Sequence, residues 1–195
     1  GVIILTAIFT SIFGGVNTLW DRRYGFMNKA LTSPISRSAI ALGKMSAISL
    51  IAALQASLII GIALAIGVTF PNPLMIIPIM GIVILFSLGF SGISVTLAAT
   101  AKSQETFWGM INLLGMPLFM LSPALFPLEL LPNWLAVIAK LNPVTYTVLL
   151  VRELMTGVSE GGVPILLSIA VIFAFVIAMV AIASYVFTRE VNKPF

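Results

Sequence analysis

From Met45 to Ala101 the chain carries no Asp, Glu, Lys, Arg or His. As one helix that run would extend about 85 Å at 1.5 Å per residue. A hydrocarbon core is only about 30 Å thick, so the run has to cross a bilayer twice. The reversal is legible at Thr69-Phe70-Pro71-Asn72-Pro73, where two prolines remove donors and fix φ and Asn favours a turn. The rest of the 195 residues agrees: 60% are hydrophobic and 8% charged, too little polar surface to cover a soluble globule. The expected fold is therefore all-α, polytopic and integral to the membrane, in a single domain over 1–195.

Hydropathy places five crossings at about 2–19, 45–68, 74–98, 107–125 and 163–187. Half of the cations, Arg22, Arg23, Lys29, Arg37 and Lys44, fall in the segment 21–44 between the first two. Each would cost about 2.5–3.5 kcal/mol at mid-bilayer, so this segment belongs in water or at the interface. Alternating the crossings puts these five with Lys102, Arg189 and Lys193 on one side, and Lys140 and Arg152 on the other. Positive-inside bias makes the first side cytoplasmic. The net charge of +4 is thus loop bias flanking spans, and no nucleic-acid surface is expected.

Both connecting regions have internal pattern. In 24–31, Met27, Ala30 and Leu31 share one face of a short helix. Thr32-Ser33-Pro34 ends it, and Ser36-Arg37-Ser38 caps a new helix running through Lys44 into the second crossing. On the other side, Pro123, Pro127 and Pro132 interrupt the apolar run, and broken backbone at membrane depth needs a protein or watery lining. Trp134, Leu135, Ile138 and Leu141 then make a helical stripe ending at Asn142-Pro143. A second short helix over 144–155 follows, before Gly157, Gly161 and Gly162. The stretch 127–157 reads as an external re-entrant or interfacial helical element.

Cys and His are absent, which removes thiol chemistry, disulfides and the usual zinc sets. No acidic or basic side chain lies within the five spans, which weighs against a proton- or sodium-coupled carrier. A Gly-Lys-Ser or Gly-Lys-Thr phosphate loop is also missing, so the chain has no visible energy source or catalytic site of its own.

Asp21-Arg22-Arg23-Tyr24-Gly25-Phe26-Met27, Thr32-Ser33-Pro34-Ile35-Ser36-Arg37 and Leu42-Gly43-Lys44 resemble the cytoplasmic segment of type-2 ATP-binding-cassette (ABC) exporter permeases, nearest the daunorubicin-resistance branch. Pro127, Leu131-Pro132-Asn133-Trp134-Leu135, Asn142-Pro143-Val144-Thr145-Tyr146 and Arg152 resemble the same family's external signature. The likeness covers nearly the whole chain. It implies a subunit of six transmembrane helices, five of them present here and the first expected before Gly1. It further implies a second permease subunit, as homodimer or heterodimer, and ABC ATPase subunits that carry ATP and Mg, with no cofactor on this chain.

Carried over residue by residue, the resemblance makes Tyr24, Gly25, Phe26, Met27, Lys29, Ala30, Leu31, Pro34 and Arg37 an ATPase-coupling element. The ordinary alternative is an interfacial anchor in which Arg22 and Arg23 contact lipid phosphates. Arg23 stands where the family often has an acid, so no charge contact carries over there. Asn112, Met116, Phe119 and Met120 are expected along the translocation path, or else against lipid and neighbouring helices. Pro127, Pro132, Trp134, Asn142, Pro143 and Tyr146 are expected to form the external gate; aromatic-belt anchoring is the simpler role for Trp134 and Tyr146. Arg152, Glu129 and Glu153 are expected as solvated charges or a local ion pair.

The implied function is ATP-powered export of a lipophilic drug, lipid or lipid-linked product across the cell membrane, expected to be a prokaryotic cytoplasmic membrane. A passive channel or secondary carrier, and a scaffold recruiting a soluble partner, are the alternatives.

Overall fold

The computed structural model describes residues 1–25, 34–68, 72–124, 132–158 and 162–190, and these form helices and connecting turns with no strand among the described residues. In chain order the α-helices are α1 (Val2–Arg23), α2 (Arg37–Ala65), α3 (Ile76–Thr100, preceded by a 3₁₀ turn Pro73–Met75), α4 (Gln104–Met120), α5 (Asn133–Leu141), α6 (Pro143–Thr156) and α7 (Ile165–Glu190). Four of them, α1, α2, α3 with its 3₁₀ turn, and α7, are long and apolar enough to cross a bilayer. The α5–α6 pair bends by 83° at Asn142, the shape of a broken span or re-entrant loop.

Local chemistry sets the boundaries. The Ala39 N–H donates to Ser36 Oγ at 3.3 Å, so α2 starts at the expected cap and runs unbroken past Lys44. Asn72 Oδ1 accepts from the Leu74 N–H at 3.0 Å, and Pro73 begins the next helical turn where its missing N–H costs nothing. The first crossing runs on past Leu19, and Arg22 and Arg23 complete the last turn of α1, complementing its carbonyl end. The crossing expected over 107–125 differs in extent. Its helix starts at Gln104 on a Ser103 cap and stops at Met120. Seventeen residues span about 25 Å, the short limit for a crossing. Pro123 cannot supply the N–H that another turn would need, and the chain turns instead at 121–124.

The core is built around α3, which touches α1, α2, α4, α6 and α7. Hydrocarbon is as apolar as Leu, so close packing and hydrogen bonding hold these helices together, with little help from the hydrophobic effect. Small residues let the backbones approach. A Cβ added at Gly15 of α1 would stand 2.6 Å from the Ser94 Cβ and 2.7 Å from its carbonyl. At that crossing Ser94 Oγ donates to the Ser11 carbonyl at 2.6 Å, and Ser49 Oγ of α2 donates to the Ile84 carbonyl of α3 at 2.7 Å. The outer faces are apolar: Leu50, Leu54, Leu58 and Ile62 recur every fourth residue on α2, with Leu54 67% exposed, and Ile177 on α7 is 66% exposed. Such faces suit acyl chains and not water.

Candidate functional site

The two ends of the bundle differ in chemistry. One end gathers Arg22, Arg23, Arg37, Lys44, Lys102 and Arg189, six of the eight cations assigned to one side; Lys29 and Lys193 lie outside the described residues. Several of these side chains fasten helices to one another. Arg22 Nη1 reaches from α1 to the carbonyls of Ala98, at 3.0 Å, and Ala99, capping the carbonyl end of α3. Lys44 on α2 pairs with Asp21 on α1. Arg37 Nη1 donates to the Thr188 carbonyl of α7 at 3.3 Å, and the Arg189 guanidinium lies 4.4 Å from the centre of the Tyr185 ring. Arg22 is therefore occupied inside the protein, in place of the lipid contact its position suggested.

Of the expected coupling residues, the structure places Tyr24, Gly25, Pro34 and Arg37 at this end. Tyr24 is 69% exposed, and Gly25 takes φ 76°, a left-handed value that turns the chain away from α1. Phe26, Met27, Lys29, Ala30 and Leu31 lie outside the described residues.

Three expected path residues, Asn112, Met116 and Phe119, line one face of α4 and meet Phe9 and Phe13 of α1 across a groove of about 130 Å³ floored by Gly115. Met120 is exposed and stands outside it. Aromatic rings edge the groove: Phe9 lies 5.8 Å from Phe13 and 5.3 Å from Phe119, and Phe13 lies 5.6 Å from Trp108. On the other side of the Phe9–Phe13 ridge, a wider groove of about 500 Å³ between α1 and α2 carries Thr6, Thr10, Asn17 and Gln55, with Thr10 bonded to Gln55. These four polar residues carry no charge and are scattered over two helices, so the sequence offered no signal for their meeting.

At the far end, Asn142 joins three elements. Its Oδ1 accepts from the Val144 N–H at 3.0 Å, capping α6, and its Nδ2 donates to the Leu118 carbonyl of α4 at 2.6 Å. That carbonyl needs a partner because the Ser122 N–H, four residues on, turns to Phe119 instead. Arg152 Nη2 donates to the Pro123 carbonyl at 3.0 Å, a second tie between α6 and the end of α4. Tyr146 Oη donates to the Lys140 carbonyl at 2.8 Å, bracing α6 against α5 beside Pro143 at the bend. Pro132 precedes α5, and Trp134 is 67% exposed, as an interfacial anchor would be. Pro127 and Glu129 lie outside the described residues.

These features define a polytopic all-α integral membrane protein with a cationic end, an aromatic-edged groove between two helices, and a bent helix pair tied to a short membrane helix. The chain belongs to the ABC-2 type transporter family, whose profile it matches over residues 1–156. It is 31% identical over 162 residues to the transport permease ycf38 of Pyropia yezoensis, covering 82% of this chain and 55% of that one. The ycf38 permease of Cyanophora paradoxa is 30% identical over 155 residues, covering 79% and 53%. A multidrug ABC transporter permease of Escherichia coli (strain K12), YbhR, is 22% identical over 146 residues, covering 74% and 39%. The chain thus spans about half the length of the ycf38 permeases it matches.

Proposed function

We propose that this chain is the translocating part of an ABC exporter in the cell membrane, its cationic end in the cytoplasm. ABC ATPase subunits that bind ATP and Mg would dock on the segment 21–44, and a second permease subunit would complete the path. The observation that carries this reading is the family match, which runs through α1, the cationic segment, the α1–α4 groove and the bent pair. Closure of the ATPase would move the coupling segment; Arg22 and the Asp21–Lys44 pair would pass that movement to the feet of α1, α2 and α3. The groove's Phe and Met side chains suit a lipophilic drug, lipid or lipid-linked substrate, in keeping with a relative named as a multidrug permease.

The test is substrate-stimulated ATPase activity of the reconstituted complex. Phe26→Asp is expected to abolish the stimulation while the permease still inserts and is recovered intact. Unchanged stimulation would remove 21–44 as the coupling element. Flux through vesicles holding this protein and no ATPase would favour a channel or secondary carrier instead.

A further inference from the structure

At the cationic end the α1–α4 seam opens into a recess of about 350 Å³, lined by Trp20 and Arg23 of α1 and by Lys102, Ser103, Gln104 and Glu105 at the start of α4. The neighbouring ionic groups are already committed: Asp21 holds Lys44, and Arg22 holds the carbonyls of α3. Arg23 and Lys102 make no hydrogen bond or ion pair among the described residues, and the Glu105 carboxylate lines the same recess without pairing with either. Two cations and one carboxylate leave the recess with one net positive charge, the complement of a phosphodiester. Glu105 and Gln104 add acceptors that suit hydroxyl or amine donors on the same ligand, while Ser103 caps α4.

The recess continues in an apolar direction. Trp20, 44% exposed, shares a face of α1 with Phe13 and Phe9, seven and eleven residues earlier. Trp108, three residues past Glu105 on α4, packs its ring 5.6 Å from that of Phe13, one of the residues that line the aromatic groove. From Arg23 back to Phe9 the helix rises about 21 Å, more than half of an approximately 30 Å hydrocarbon core. Charged mouth and apolar seam together match an amphiphile, and a free anion would leave the seam unused.

We propose that this recess binds the phosphodiester head group of a membrane lipid whose head also bears hydrogen-bond donors, with an acyl chain laid along the α1–α4 groove. It deepens the permease reading by naming a substrate class, and rests on that reading for its link to transport but not for the binding itself.

The experiment is retention of phosphatidylglycerol by the full-length protein from nanodiscs, counted by native mass spectrometry after delipidation, with no nucleotide or ATPase subunit present. Retention is expected to fall about fivefold for each of Arg23→Gln and Lys102→Gln. Lys102→Arg is expected to retain the lipid, as is Arg189→Gln, a charge lost at the same end but outside the recess. Full retention by the Arg23→Gln/Lys102→Gln double variant would overturn the site. Displacement by millimolar inorganic phosphate would overturn the lipid assignment in favour of a soluble phosphate. Because the ATPase is absent, loss of the site leaves the permease reading standing, and missing ATP-linked transport with the lipid retained overturns only the permease reading.

Discussion

Asn142, 5% exposed, holds the α5–α6 bend to α4 through one side chain, because it is at once a helix cap and the donor to a carbonyl that α4 leaves free. Asn142→Ala strands both partners and is expected to cost about 1–3 kcal/mol in thermal or denaturant unfolding in detergent. Asn142→Asp keeps the acceptor for Val144 but sets a buried carboxylate oxygen against the Leu118 carbonyl, so a loss at least as large is expected. The exposed Trp134 serves as control: Trp134→Ala is expected to stay within about 0.5 kcal/mol of the parent. Gly15 gives a second contrast. Gly15→Ala forces the α1–α3 crossing apart at Ser94 and is expected to destabilise by about 1–3 kcal/mol. Gly61→Ala on α2 meets nothing within 4 Å and is expected to be neutral or stabilising by up to about 1 kcal/mol, a difference that parallel melting curves would resolve.

Among the elements, α4 is tied to the α5–α6 pair because α4 ends short: the Leu118 carbonyl takes the Asn142 amide at the bend, and the Pro123 carbonyl just beyond the helix takes Arg152 of α6. Arg152→Gln removes the tie to Pro123 and is expected to raise amide exchange across α6 while leaving α3 unchanged, measured by hydrogen–deuterium exchange. Much of this element was legible beforehand. The stripe from Trp134 to Leu141, the break at Asn142-Pro143 and the short helix after it are all periodic or turn signals, and the structure carries each of them. The stop of α4 was less legible, since apolar residues continue to Leu125 and only Pro123 marks the end. The reach of Asn142 to Leu118, of Arg152 to Pro123 and of Arg22 to Ala98 joins residues 24, 29 and 76 positions apart and has no local sequence signature. Of the candidate path, Asn112, Met116 and Phe119 were readable as one face of a helix; their partners Phe9 and Phe13 were not, because nothing in α1 states which helix it will face.

For the whole molecule, the separation of six cations at one end from Lys140 and Arg152 at the other turns the charge count into a geometric statement about orientation. The chain contains no cysteine, so single cysteines placed at the exposed Tyr24 and Trp134 give labelling without background from this region. In sealed right-side-out vesicles Trp134→Cys is expected to react with an impermeant maleimide and Tyr24→Cys only after permeabilisation; the reverse would invert the assignment of the cationic end to the cytoplasm. By itself the sequence determined that this protein is a membrane-spanning helical bundle, where its long crossings lie and which residues stay out of the hydrocarbon. Those are local properties of the chain, enforced by the cost of placing a charge or an unpaired peptide group in lipid. Only the tertiary structure decided that α3 is the central helix, that Arg22 and Lys44 fasten the helix feet, and that Arg23 and Lys102 face one recess at the mouth of the α1–α4 seam. Those outcomes depend on which small residues let two backbones meet and which distant carbonyls are left free, and neither has a periodic trace in the sequence.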